Sequence, residues 1–195
     1  AAAVFAITGK SVHPGEAKNK MVNAALVASR ISGMLPAAQT PAETEGREGF
    51  YHLTGISGNV ESAAATFIVR DHDEGSFMSR LATLRHIEKI LNEVYGAGTV
   101  VLTIREQYRN MIEKIRPCMH LIENARRAMD EAGLKSVEPP VRGGTDGAQL
   151  SFRGLPCPNL GTGGHAYHGP YEHITAEGMD KVTEVLLGIV KAYAS

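Results

Sequence analysis

The sequence predicts an α+β chain: a ferredoxin-like β-α-β-β-α-β domain over residues 1–106, then an incomplete α/β segment over residues 107–195. Three observations carry this. Strand-like and helix-like stretches follow one another in that order through residue 105. A hairpin signal, Ser57-Gly58-Asn59, separates the two middle strands. Beyond residue 106, two helical patterns flank a Gly- and Pro-rich stretch at 139–173, a poor basis for an independent core.

The first strand is expected at residues 3–9, ended by Gly9. From about Glu16 to Leu35, Met21, Ala25, Val27, Ala28 and Ile31 recur at helical spacing, and Pro36 stops the run. Residues 37–48 have loop composition. Strands are expected near 49–56 and 60–70, the second with Ala65, Phe67 and Val69 on one face and Ala64, Thr66, Ile68 and Arg70 on the other. Asp73 can cap a helix over 74–95, whose apolar set is Phe77, Leu81, Leu84, Ile87, Ile90, Leu91 and Val94, and Gly96 closes it. Residues 99–105 make the fourth strand. Two helices can then cover one face of a four-stranded antiparallel sheet and leave the other face, or an edge, for a partner. Further on, a helix is expected at 117–132, ending at Gly133. A last one, at 175–193, has an apolar face of Met179, Val182, Val185, Leu186, Ile189 and Val190.

Composition narrows the function classes. The hydrophobic content of 43% allows a real core, and a net charge of −1 from 20 basic and 21 acidic residues argues against nucleic acid or an anionic membrane as main partner. No apolar run is long enough to span a membrane, and the start has no signal-peptide pattern. Cys118 and Cys157 each lack a second Cys or a closely spaced His, which predicts two reduced, packed thiols and fits a cytoplasmic location. The opening Ala1-Ala2-Ala3-Val4-Phe5 runs straight into a strand without a Met, as an excised or processed piece would.

Three segments carry chemistry. Val141-Arg142-Gly143-Gly144-Thr145-Asp146-Gly147 joins glycines, which admit a ligand close to the backbone, to a planar cation that matches a carboxylate. The plainer reading is that Arg142 and Asp146 form a surface pair in a turn. Residues 163–173 hold His165, His168, His173 and Glu172, all potential zinc ligands, although a catalytic zinc needs about three protein ligands. His13, in Ser11-Val12-His13-Pro14-Gly15, can polarise a carbonyl or accept a proton, or can simply be an exposed side chain at a helix entry.

In these segments the sequence resembles the tripeptidase branch of the M20 metallopeptidase family. The matching text runs from Gly9 through His13-Pro14-Gly15 to Ala24, then Arg142 to Phe152. It continues with Gly154-Leu155-Pro156-Cys157-Pro158-Asn159-Leu160 and Tyr167-His168-Gly169-Pro170-Tyr171-Glu172-His173. The resemblance covers essentially the whole chain. It implies a two-domain enzyme in which a β-α-β-β-α-β lid, used for dimerisation, is inserted into a catalytic domain binding two zinc ions. Residues 1–106 correspond to the lid and 107–195 to the C-terminal part of the catalytic domain. The expected partners are a tripeptide and a second copy of the chain, joined through the lid.

The resemblance also implies roles. His168 corresponds to a metal ligand, Arg142 to the arginine gripping the peptide's C-terminal carboxylate, and His13 to the lid histidine that steadies the carbonyl oxyanion. Asn59 corresponds to a substrate-contacting lid asparagine, and Asp146 to a residue that contacts substrate or orients Arg142. The family's His-x-Asp metal motif, its Glu-Glu pair with the general base, and a further Asp ligand have no counterpart among these 195 residues. The expectation is therefore part of an aminopeptidase, inactive alone. Competing readings are a non-catalytic dimerisation or binding module, another M20 hydrolase such as a carboxypeptidase or deacylase, and a small enzyme with one metal on His165, His168 and His173.

Overall fold

A computed structural model describes residues 1–107 and 109–194. These fall into two compact units, one formed by residues 1–107 with 140–143 and the other by the remainder.

The first unit is a four-stranded antiparallel sheet with two long helices. Its elements are β1 (Ala2–Thr8), α1 (Ala24–Gly33), β2 (Phe50–Gly58), β3 (Ser62–Arg70), α2 (Glu74–Tyr95) and β4 (Val100–Arg105). The strand order is β2-β3-β1-β4, so β1 and β3 are central, as the ferredoxin-like order requires. Alternation explains the core. Ala3, Phe5 and Ile7 of β1 and Ala63, Ala65, Phe67 and Val69 of β3 are buried on one face. They meet Val27, Ala28 and Ile31 of α1 and Leu81, Leu84, Ile87 and Leu91 of α2. Phe5 and Phe67 pack edge to face, with ring centroids 6.0 Å apart and planes at 82°. Val94, expected in the apolar stripe of α2, is exposed, and its neighbour Tyr95 packs against the core in that last turn instead.

Capping sets both helix starts. Asn23 Oδ1 accepts from the Leu26 N–H at 3.2 Å, and Asp73 Oδ1 accepts from the Ser76 N–H at 2.7 Å. The Ser76 bond holds the Asp73 carboxyl below its ordinary range.

The helix expected from about Glu16 instead begins at Ala24. Residues 10–22 form an excursion closed by an antiparallel bridge, in which Lys10 and Val22 exchange backbone hydrogen bonds of 2.8 and 3.1 Å. Inside it lie a 3-10 turn at Pro14–Glu16 and Asn19 at φ 59°. Asn19 and the Asn23 cap interrupt the helical pattern that Met21 suggested. In β2 the register shifts between Leu53 and Gly55, a bulge at Thr54, and the strand beyond Tyr51 is exposed.

The second unit contains α3 (Ile112–Ile115), α4 (His120–Glu131), α5 (Asp146–Phe152), the short pair β5 (Gly164–His165) and β6 (His173–Ile174), and α6 (Ala176–Ala194). Helices α4 and α6 pack through small residues: a Cβ placed on Gly188 would stand 3.0 Å from Ala128 Cβ. Its core cluster is small, with Ala128, Ala132 and Val185 buried, whereas Met179, Leu186 and Val190 of the expected apolar face of α6 are exposed. The stretch expected to be irregular contains α5, capped by Thr145, whose Oγ1 accepts from the Ala148 N–H at 3.2 Å. The helix expected at 117–132 starts as a 3-10 turn at Arg116–Cys118 before α4.

Opposite faces of α1 give a direct check. Ile31 is fully buried and Leu26 is 68% exposed. Ile31→Ala should cost about 2–5 kcal/mol in denaturant unfolding, and Leu26→Ala should stay within about 0.5 kcal/mol of the parent. Equal costs would mean that α1 does not present this face to the sheet.

Candidate functional site

Of the sequence-predicted residues of the first unit, His13 and Asn59 lie where loops leave one end of the sheet, whereas Arg142 lies against Phe50 at the other end of β2. The end of β1, the β2–β3 turn and the start of α1 are laced together at the His13 end. Gly9 N–H donates to Glu61 O at 2.7 Å, Ala24 N–H to Val60 O at 3.0 Å, and Ala25 N–H to Asn59 O at 3.0 Å. Gly9 is required by this approach, since a Cβ there would come within 2.0 Å of Val60 O. The excursion carrying His13 begins one residue later.

His13 precedes the 3-10 turn, and its Nδ1 accepts from the Gly15 N–H at 3.2 Å. Its ring is exposed. Asn59 forms the β2–β3 turn with Gly58, whose φ of 139° suits a residue without a side chain. The Asn59 Oδ1 accepts from two backbone donors, Glu61 N–H at 2.9 Å and Ser62 N–H at 3.1 Å. The side chain is thereby pinned by its oxygen and remains exposed.

Arg142 belongs to the same unit, through residues 140–143. Its guanidinium lies over the Phe50 ring at 4.8 Å. One terminal nitrogen donates to Thr44 O at 2.5 Å, and the other to Thr44 Oγ1 at 2.6 Å and Glu48 O at 3.2 Å. The fork is thus received by neutral oxygens of the 40–48 loop, with no carboxylate among these acceptors. Its Nε is buried without a hydrogen-bond partner. The guanidinium is half-buried in this seat, with both terminal nitrogens already donating to Thr44 and Glu48 oxygens. Sequence reading missed Thr44 and Phe50 as the seat of Arg142. They lie more than ninety positions away in a loop of Pro, Ala, Thr, Glu and Gly, so no local spacing marks them.

In the second unit, Asp146 opens α5 and is exposed, with its carboxylate in the first turn, where the helix dipole favours negative charge. Behind it the buried Ser151 Oγ donates to Gly147 O at 2.7 Å and accepts from the Cys157 N–H at 2.9 Å. This fixes the Cys157 segment against α5. A Cβ on Gly147 would meet Cys157 O at 2.5 Å, which is why the motif needs glycine there. Ser151 also was not singled out by the sequence; its signal was only its place in the α5 segment.

His168 sits in the 166–172 loop at φ 61°, a left-handed conformation uncommon for a non-glycine residue. Its N–H donates to Glu172 Oε2 at 2.9 Å, so Glu172 closes the loop. His165 and His173 are a cross-strand pair of β5 and β6, stacked with centroids 5.3 Å apart and planes at 26°. His173 Nδ1 faces Tyr171 O at 2.8 Å. An exposed imidazole at His168 fits one metal position, but among the described residues no group of three or more His, Cys, Asp or Glu is arranged to hold an ion. The three-histidine site considered from sequence has no preformed cluster behind it.

The Arg142 seat makes a prediction. Arg142→Lys removes the planar fork and leaves a single point donor. Hydrogen exchange at the Glu43, Glu45 and Glu48 amides, whose bonds close the 40–48 loop, should accelerate several-fold. Unchanged exchange would show that Arg142 does not hold that loop.

Comparison with known proteins agrees with this architecture. A family described as Peptidase dimerisation domain matches residues 1–99. Peptidase T of Alkaliphilus oremlandii is 50% identical over 188 residues, 96% of this chain and 46% of that protein. Peptidase T of Clostridium perfringens is 50% identical over 194 residues, 100% of this chain and 48% of that protein. The chain thus spans about half the length of the curated relatives it matches. Among solved structures, aminopeptidase PepT from Bacillus cereus aligns with a TM-score of 0.75 at 21% identity, covering 100% of this chain and 52% of that one. A tripeptidase from Staphylococcus aureus aligns at 0.77 and 18% identity, covering 98% and 50%. At these identities the structural likeness is one of fold. Together, the dimerisation-domain match and the sequence identity along the chain's length establish that it belongs to the M20 peptidases, within the peptidase T group.

Proposed function

We propose that this chain is part of a zinc-dependent aminopeptidase that removes the N-terminal residue from tripeptides, and that it is inactive without the remaining half of its relatives' length. The observation that carries this is the 50% identity to peptidase T maintained along the whole chain. In this reading residues 1–106 are the lid and 107–195 the C-terminal part of the catalytic domain.

His168 would hold one of two zinc ions, and the other ligands and the general base would come from the half not spanned here. The metal, when bound, supplies an activated water for attack on the first peptide bond. The residues of this chain bind and orient. Arg142 would exchange its Thr44 and Glu48 oxygens for the substrate's C-terminal carboxylate and so measure peptide length. His13 donates to the carbonyl oxygen as negative charge develops, and Asn59 supports the substrate from the neighbouring turn. Asp146 contacts the substrate or orients Arg142.

The lid carries a dimerisation-domain match, and its outer strand β2 exposes Leu53 and Ile56. Both support a homodimer joined through the lid. The same match favours a second reading, in which the unit serves only assembly. No helix among the described residues is long and apolar enough to cross a membrane, and the proposed location is the cytoplasm.

The test is hydrolysis of an unblocked tripeptide with added zinc. The 195-residue chain should show no turnover, and a chain extended to the relatives' full length should release the N-terminal residue. In that enzyme His13→Ala should lower kcat about 10²–10³-fold. Arg142→Ala should raise KM about tenfold or more for free tripeptides, the loss of charge-assisted hydrogen bonds, and leave C-terminally amidated ones nearly unaffected. Zinc-dependent turnover by the 195 residues alone would overturn the assignment of roles, and an extended chain without peptidase activity would leave the assembly reading.

A further inference from the structure

We infer that Glu88 and Asn92 of α2 close the outer edge of the first unit's sheet at β4, so that a second copy of this chain adds its strand only at the β2 edge and assembly stops at a pair. The pairing at β2 rests on the homodimer reading above; the closure of β4 stands on the geometry alone.

Strand β4 lies at the edge of the sheet, with β1 as its neighbour. The ladder between them fixes which backbone groups point inward. The Thr8 N–H donates to Thr99 O at 2.8 Å, and Ala6 stands opposite Val101 and Val4 opposite Thr103. In an antiparallel ladder this phase turns the backbone of Val101 and Thr103 toward β1, and that of Val100, Leu102 and Ile104 outward. An outward row of this kind is a template for a further strand.

Side chains of α2 occupy that row. Asn92 Nδ2 donates to Val100 O at 2.8 Å, while its Oδ1 accepts from the Val100 N–H at 2.9 Å. One amide thus makes both bonds that a residue of a neighbouring strand would make, and the fixed polarity of the backbone sets its orientation. Glu88 Oε1 accepts from the Leu102 N–H at 2.7 Å. The spacing explains the match. Glu88 and Asn92 are one helical step of i to i+4 apart, a rise of about 6 Å, and alternate strand residues stand about 6.6 Å apart. Helix and strand run in opposite directions, so Asn92 meets Val100 and Glu88 meets Leu102. The next position in that row of α2, Leu84, is buried in the core and carries no polar group. What is left is Leu102 O and the Ile104 groups, too short a row to seat a strand of ordinary length.

The opposite edge is built otherwise. There the Tyr51 N–H donates to Gln39 O at 2.8 Å, and beyond Tyr51 the strand is exposed, Leu53 and Ile56 included. A sheet open at both edges adds copies without end, whereas a single open edge pairs with its like and closes after two.

The experiment is sedimentation velocity of the 195-residue chain over a concentration series, with amide hydrogen exchange read at Val100 and Leu102. The parent's largest species should stop growing with concentration, and that of Asn92→Ala/Glu88→Ala should keep growing. In dilute solution the variant's Val100 and Leu102 amides should exchange several-fold faster than the parent's. They should slow again as copies associate, while Val101 and Thr103 do not change. Each single variant should show the same behaviour to a smaller extent, and serves if the double variant does not fold. Glu88→Gln, which keeps an acceptor oxygen, should behave as the parent. Open-ended growth of the parent overturns the inference. So does a folded double variant with the parent's exchange rates or the parent's size series. Equal growth of Ile31→Ala, which is destabilised with its edge intact, overturns it too. A parent that stays monomeric while the variant associates sinks the homodimer reading and leaves the closure of β4 standing; the tripeptide assay reads neither.

Discussion

The register between β1 and β3 is the constraint on which the first unit depends. Phe5 stands opposite Ala65, and Ala3 opposite Phe67. The large and small residues therefore alternate across the two central strands, and the rings of Phe5 and Phe67 meet edge to face instead of colliding. A slip of β3 by one residue would carry Phe67 to the open face and put Thr66 in the core. Helices α1 and α2 have buried stripes of Val27, Ala28 and Ile31 and of Leu81, Leu84, Ile87 and Leu91, and these stripes need that one apolar face. Once the sheet is set, its loop ends are set too.

That rigidity explains where the chemistry-bearing residues lie. His13 and Asn59 are not on strands; they are on turns tied to strand ends by backbone hydrogen bonds and by a glycine that lets carbonyls approach. Turns of this kind place a side chain by its hydrogen-bonding partner more than by packing, which permits exposure without free rotation. Arg142 is held differently, with its fork on Thr44 and Glu48 oxygens and its plane on Phe50. Neutral acceptors orient the guanidinium by its terminal nitrogens, and the Phe50 ring supports its plane.

Much of the fold was legible in the sequence because it follows from period. The alternation in 62–70 and the 74–95 stripe between Asp73 and Gly96 stated both the element and its buried face. The part of the excursion from about Glu16 to Val22 was misread as helix because Met21, Ala25 and Ala28 sit at helical spacing. The Lys10–Val22 bridge that overrides them is a tertiary pairing invisible to local pattern. Helix α5 was hidden among glycines, although Thr145 before Asp146 was a capping signal. His13, Asn59, Arg142, Asp146 and His168 could be named from motif resemblance. What holds Arg142 could not, since its partners come from residues 44–50.

The central claim is that these residues supply binding and orientation, with most of the metal site contributed by chain beyond them. Calorimetric titration with zinc tests it most directly, with the 195-residue chain compared to one extended to the relatives' full length. The account predicts two tightly bound zinc ions in the extended chain and only weak binding here, of the order expected for a single exposed imidazole at His168. Stoichiometric, tight zinc binding by the 195 residues alone would contradict it.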